Sequence, residues 1–209
     1  MSNIRLTYFD IDGGRAEPIR LVLSIAGIEF EDRRITFQDF FSLADILPLG
    51  CVPILEMDGE TWTQCNPLIR FFGKKAGLYP DDPWQAYLCD EVMDIMEDLS
   101  HALGKTFGLE GDALKQARED IAAGMFTKAL RLLDKRLQAA GGEYFADNRM
   151  TVADLKVFEF VRMLSAGFLD HIPADLAEKV APTITKHMQR VAADPGVKSY
   201  YDKRAQQTG

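Results

Sequence analysis

The sequence predicts an α/β domain followed by an all-α domain, and three observations carry that prediction. Residues 1–77 alternate short strand-like and helix-like segments, whereas residues 85–209 show only the helical spacing of apolar positions. Between them Leu78 to Pro83, LYPDDP, has the composition of a linker, which is assigned to residues 78–84. Asp58-Gly59 lies between two strand-like runs, the arrangement of a type I′ hairpin, whose turn residues both need positive φ.

Residues 4–8, IRLTY, alternate apolar and polar as a strand does, and Asp12-Gly13-Gly14 then breaks the chain. The helix that follows carries Pro18 in its first turn, Ile19, Val22, Leu23 and Ala26 on one face, and Gly27 as its stop. Phe30 to Ile35 reads as a second strand, and residues 38–47 as a short irregular helix. The segment VPILEMDGETWTQ supplies two more strands, with Pro53 opening the first of them, where a ladder N–H is expendable. Residues 65–77 form a helix closing at Gly77, so the order β-α-β-α-β-β-α gives a small sheet with helices packed on it. Beyond the linker, Leu88, Val92, Ile95, Met96, Leu99 and Leu103 follow helical spacing. Phe126, Leu130, Leu133 and Leu137 do so in the next helix, which Gly141-Gly142 terminates. Thr151 and Asp154 have the spacing of a helix N-capping box, a folding role.

Composition excludes several function classes. An apolar content of 47% with 10% aromatics supports a packed core rather than disorder. A formal net charge of -8 argues against a nucleic-acid surface and an anionic membrane as partners, while leaving room for a small anionic ligand beside a local Arg. The three cysteines, Cys51, Cys65 and Cys89, include no CxxC and no metal-ligand spacing, which implies reduced thiols and a cytoplasmic address. The three histidines, His101, His171 and His187, are scattered and are read as surface or helix-packing residues, so no metal is expected. The N-terminus has no apolar signal-peptide core, and no stretch approaches the roughly 18 apolar residues of a membrane span.

No polar residues form a triad or a paired-carboxylate site. Tyr8 ends the first strand just before the Gly-Gly turn, and taken alone it reads either as a core tyrosine or as a hydroxyl projecting into a cleft above the sheet. The ordered set LTYFD, GGRAEPIRL, VPILEMDG, TQCNPLIRFF and MTVADL resembles the soluble glutathione transferases, most nearly the sigma class, over the whole chain. That resemblance implies a thioredoxin-like glutathione-binding domain over residues 1–77 and an all-helical domain over residues 85–209.

It also implies roles. Tyr8 matches the tyrosine that donates a hydrogen bond to the glutathione sulfur and holds it as a thiolate. A thiol near its reference pKa of about 8.5 is mostly protonated at neutral pH, whereas tyrosine, near 10, keeps its proton to donate. Arg15 matches an arginine that lends positive potential near the thiol, although an exposed helix-start arginine also fits. Glu17 reads as a helix-start carboxylate opposing the dipole. Val52-Pro53 resembles the residue before a cis-proline, whose backbone pairs with the glutathione peptide as an added strand would. Gln64 and Cys65 match a Gln-Ser pair that holds the γ-glutamyl carboxylate at a helix N-terminus. Asp98 matches an aspartate that reaches across a homodimer to the glutathione amino group.

Departures at four positions point to weaker glutathione binding. Cys65 replaces serine, Phe40 stands where sigma enzymes usually have a tryptophan that donates to the glycine end, and Ala44 and Cys51 lie where basic or polar contacts are common. The extra residue in Asp12-Gly13-Gly14 is expected to shift Arg15 relative to Tyr8. The leading expectation is a detoxifying transferase that joins glutathione, its co-substrate, to small apolar electrophiles held between the domains near His101 to Phe107, Tyr200 and Tyr201. Glutathione-dependent isomerase or peroxidase chemistry on the same site, or a binding or structural homologue with weak turnover, are the alternatives.

Overall fold

The computed structural model describes residues 3–208. A four-stranded sheet occupies the first part of the chain, formed by β1 (Ile4–Phe9), β2 (Glu31–Ile35), β3 (Ile54–Met57) and β4 (Glu60–Thr63) in the order β2-β1-β3-β4. β1 runs parallel to β2 and antiparallel to β3, so the strand carrying Tyr8 is interior to the sheet. Asp58 (φ 54°) and Gly59 (φ 85°) both adopt positive φ between β3 and β4, as the Asp-Gly signal requires. Helix α1 (Glu17–Ile25) has Pro18 in its first turn and ends before Gly27 at φ 65°, a conformation that costs glycine little.

Several boundaries differ from the sequence expectation by one to four residues, and two of the differences have a local cause in a helix cap. Helix α2 spans Phe37–Leu43 rather than 38–47, because Thr36 and Asp39 form a reciprocal capping box that fixes its start. β3 begins at Ile54, one residue after Pro53. Helix α3 (Cys65–Lys75) is followed by helix α4 (Pro83–Gly104), which starts inside the expected linker. Asp82 accepts from the N–H groups of Trp84 at 3.0 Å and Gln85 at 2.9 Å, so Asp-Pro here is a cap with Pro at N1 rather than a loop dipeptide.

Four helices, α5 and the last three, were not singled out in the sequence, and α5 shows why. α5 (Gly111–Ile121) runs through a π-bulge at Ala122–Phe126 into α6 (Thr127–Ala139). Only Arg118 is buried along α5, so it has no apolar stripe to reveal it. At the bulge the Thr127 hydroxyl donates to the Ala122 carbonyl at 2.7 Å, serving a group that the wider turn displaces.

Helix α7 (Val152–Ser165) is the axis of the helical part, with α4 and α9 (Pro182–Ala192) packed against it and α8 (Leu176–Val180) alongside. α1 packs on α3, on α7 and on α10 (Pro195–Thr208). Leu6, Ile19 and Phe72 from the first part join Phe126, Leu133, Phe158 and Val161 from the second in one buried cluster. Each such side chain contributes about 1.5–3 kcal/mol when fully buried, so the two parts are docked by a shared core. No helix among the described residues is long and apolar enough to cross a membrane.

Candidate active site at the end of strand β1

Tyr8 is buried where β1 meets the turn into α1, opposite Arg34 in the parallel register. Its hydroxyl oxygen accepts the Arg15 N–H at 3.2 Å. Gly14 has φ +70°, and a Cβ there would stand 2.7 Å from that hydroxyl, so both backbone conformation and space demand glycine. Burial pushes the Tyr8 hydroxyl up to about 12, although the Arg15 N–H pulls the other way, so the group keeps its proton at neutral pH. The result is a protonated phenol whose oxygen is already served and whose proton remains to be donated.

The Arg15 guanidinium is not free beside it. Its Nε meets Glu97 of α4 at 2.5 Å, and Glu97 also takes Lys156 Nζ of α7 at 3.0 Å. Lys156 donates further to Asn66 at 2.5 Å, and Asn66 to Asp94 at 2.6 Å, so a polar chain joins the Arg15 turn, α4, α7 and the start of α3. Burial works against the Glu97 charge, but Lys156 and Arg15 outweigh it and hold its carboxyl below the usual range. Cys65 is buried next to this chain; burial first, and Glu97 next, push its thiol up to about 12, so it stays protonated.

Gln64 caps α3 with φ 71° and ψ 117°, an uncommon conformation for a residue with a Cβ. It presents an exposed amide at the helix start, where the first backbone N–H groups have no intrahelical acceptor. The Val52-Pro53 peptide is cis, and Val52 is buried. Phe40 is half-buried, its ring centre 5.3 Å from that of Phe9 in an edge-to-face contact, and the Phe9 ring centre is in turn 5.3 Å from that of Tyr8. Cys51 is exposed.

The fold therefore brings Tyr8, Arg15 and Cys65 to one place, with Gln64 at the adjoining start of α3. Asp98 lies on the exposed side of α4, one turn beyond Asp94, and does not join this cluster. Glu17 is in the first turn of α1, as the sequence places it, and is also fully buried and paired with Arg20 at 3.0 Å. The Tyr200 and Tyr201 hydroxyls are buried near Glu17, and burial raises the pKa of both.

Glu97, Lys156, Asn66 and the buried Glu159 were not anticipated. A signal existed for two of them: VADLKVFEFVRMLS is apolar nearly all round, and charges inside such a helix are buried and must have partners.

Comparison with known proteins agrees with this architecture. Residues 4–67 match the glutathione S-transferase N-terminal domain, and residues 97–204 match the glutathione S-transferase C-terminal domain. The chain is 31% identical over 209 residues to glutathione S-transferase 1 of Ascaris suum, with 98% of each chain covered. A solved prostaglandin synthase D of Nilaparvata lugens superimposes with a TM-score of 0.85 at 27% identity, covering 97% of this chain and 98% of that one. A structure described as monomeric Na-GST-3 of Necator americanus gives a TM-score of 0.83 at 26% identity, covering 97% of each. With both domains matched and a relative aligned end to end, the chain belongs to the glutathione S-transferase family and is a glutathione transferase enzyme.

Proposed function

We propose that this enzyme joins the glutathione thiolate to small apolar electrophiles, with Tyr8 donating its proton in a hydrogen bond to the sulfur. The observation that carries this reading is the Tyr8 hydroxyl itself, buried, protonated and supplied with the Arg15 N–H as donor. A donor that favours the anion lowers the thiol pKa, and each unit is about 1.4 kcal/mol of differential stabilisation. Arg15 and Lys156 both pair with Glu97, so the two cations offset its negative charge beside the site.

In this reading residues 1–77 hold glutathione. The Val52 backbone beside Pro53 pairs with its peptide, Gln64 and the Cys65 N–H at the α3 N-terminus hold the γ-glutamyl carboxylate, and Phe40 packs near the glycine end. Asp98 of the partner subunit reaches the amino group. A homodimer is supported by apolar surface on both prospective faces, with Trp84 (62% exposed) and Tyr87 (51%) on α4, and Trp62 and Phe71 (46% each) on β4 and α3. Sedimentation is expected to give twice the chain mass; a species near 23.4 kDa at micromolar concentration would contradict the dimer. Reduced thiols at Cys51, Cys65 and Cys89 fit a cytoplasmic, detoxifying enzyme.

The test is turnover of a generic aromatic electrophile, measured beside retention on immobilised glutathione. Retention without turnover favours a binding protein instead. Isomerisation on the same thiolate is the second reading, favoured by the likeness to the prostaglandin synthase D of Nilaparvata lugens.

The Cys65 departure makes its own prediction. Cys65→Ser is expected to tighten glutathione binding about fivefold, because an O–H donor to a carboxylate is worth about 1.5–3 kcal/mol and part of that is lost in refitting the pocket. Calorimetric titration of both proteins at one pH checks it, and equal affinities would make Cys65 a packing residue only.

A further inference from the structure

We infer that helix α7 positions the Tyr8 hydroxyl through a two-point clamp, Glu159 and Arg162, on the backbone of the Asp12–Gly14 turn. The inference rests on the reading of Tyr8 as the thiol donor. Glu159 and Arg162 stand one helical turn apart. Glu159 Oε1 accepts the Gly14 N–H at 2.8 Å, and Arg162 Nη2 donates to the Asp12 carbonyl at 2.6 Å. Gly13 lies between the two contacts; a Cβ on it would stand 3.0 Å from Glu159 Oε1.

The clamped turn is what touches Tyr8. The Cβ position of Gly14 is 2.7 Å from the Tyr8 hydroxyl, and the next amide, that of Arg15, donates to the same oxygen. A small shift of Gly14 therefore either presses on the hydroxyl or withdraws the Arg15 N–H. Two successive glycines have little backbone preference of their own, so the conformation of this turn has to be imposed from outside. Asp12 is held as well, its carboxylate meeting Arg34 of β2 at 2.8 Å and Arg204 of α10 at 2.9 Å.

Glu159 is costly to keep where it is. Burial pushes its carboxyl up to about 7 and Glu17 of α1 adds to the rise, against the Gly14 N–H and the cations Arg162 and Lys156; Tyr201 of α10 also faces it. An apolar side chain would fill the same space without that penalty, so packing does not account for a carboxylate here. An acceptor for the Gly14 N–H does. Glu159 is thus a positioning residue, acting on the thiol through Tyr8.

The test uses the full-length protein with Glu159→Gln and Glu159→Met, each with and without Tyr8→Phe. Glutamine keeps an acceptor oxygen for Gly14, whereas methionine keeps only the volume. Glu159→Met is expected to raise the pKa of the bound glutathione thiol by about one unit and to lower kcat about tenfold below that pKa, with the glutathione KM within about twofold. Glu159→Gln is expected to rescue both to within about threefold of the original protein. In the Tyr8→Phe background Glu159→Met should move the thiol pKa no further, since both act through one hydroxyl. An unchanged thiol pKa in folded Glu159→Met, or a shift that adds in full to that of Tyr8→Phe, would overturn the clamp alone. A silent Tyr8→Phe variant would overturn the thiol-donor reading, and the clamp with it. If Glu159→Met does not fold, Arg162→Met frees the Asp12 carbonyl and is expected to raise the thiol pKa; no rise would overturn the clamp equally.

Discussion

Tyr8→Phe is expected to lower kcat/KM for conjugation about 100-fold at neutral pH, with the glutathione KM within about twofold. A hydrogen bond to a charged acceptor is worth about 1.5–3 kcal/mol, and 100-fold corresponds to about 2.7 kcal/mol, near the top of that range because the site is buried. The phenyl ring keeps the packing against Phe9 and under Arg20, so the fold and the peptide contacts of glutathione are left in place. What is lost is the proton toward sulfur, together with the acceptor of the Arg15 N–H. The pH–rate profile should move to higher pH, because more of the thiol must ionise without help. Steady-state kinetics across pH check both features. An unchanged rate and profile would remove Tyr8 from the chemistry.

The second large effect concerns the frame rather than the site. Asp154 is fully buried and accepts from the Thr151 N–H at 2.7 Å, the Thr151 hydroxyl at 2.7 Å and the Phe145 N–H at 3.1 Å, while also meeting His187 Nε2 at 2.8 Å. The capping box that the sequence announced thus also ties α7 to α9 and to the loop before α7. Asp154→Ala orphans buried donors on three segments at once. Each unsatisfied group costs about 1–3 kcal/mol, and partial relaxation keeps the total below their sum, so a loss of about 3–5 kcal/mol is expected. Denaturant unfolding measures it as a lower midpoint at unchanged slope. A loss below about 1 kcal/mol, the worth of a simple cap, would mean that the His187 and Phe145 contacts contribute nothing.

How much of this was legible depended on whether the signal was local. The Asp58-Gly59 turn, the Pro18 helix start and the Thr151–Asp154 box each depend on residues within four positions of one another, and each is found as expected. Helix α5 was missed because it buries almost nothing, and the start of α4 because Asp82-Pro83 has the same composition in a loop and in a cap. The candidate site divides in the same way. Tyr8, Arg15, Val52, Pro53, Gln64 and Cys65 stood in ordered motifs, so a family resemblance could name them as candidates. The partners that set their electrostatics are far away in sequence: Arg15 pairs with Glu97, Asn66 with Lys156, and Gly14 with Glu159. Spacing has no means of joining residues brought together only by docking α7 against the Tyr8 turn. The buried Arg20, shared between Glu17 and Asp32, is hidden for the same reason, since Asp32 reaches it only through the packing of α1 on the sheet.

The central claim is that the Tyr8 hydroxyl makes the bound sulfur an anion at neutral pH. Titrating the ultraviolet absorbance of the thiolate in the enzyme–glutathione complex, for the original protein and for Tyr8→Phe, measures that property without any second substrate. The account predicts a bound thiol pKa about two units below the free value of about 8.5, returning close to it in Tyr8→Phe. The same pKa in both proteins, whether low or high, would contradict it.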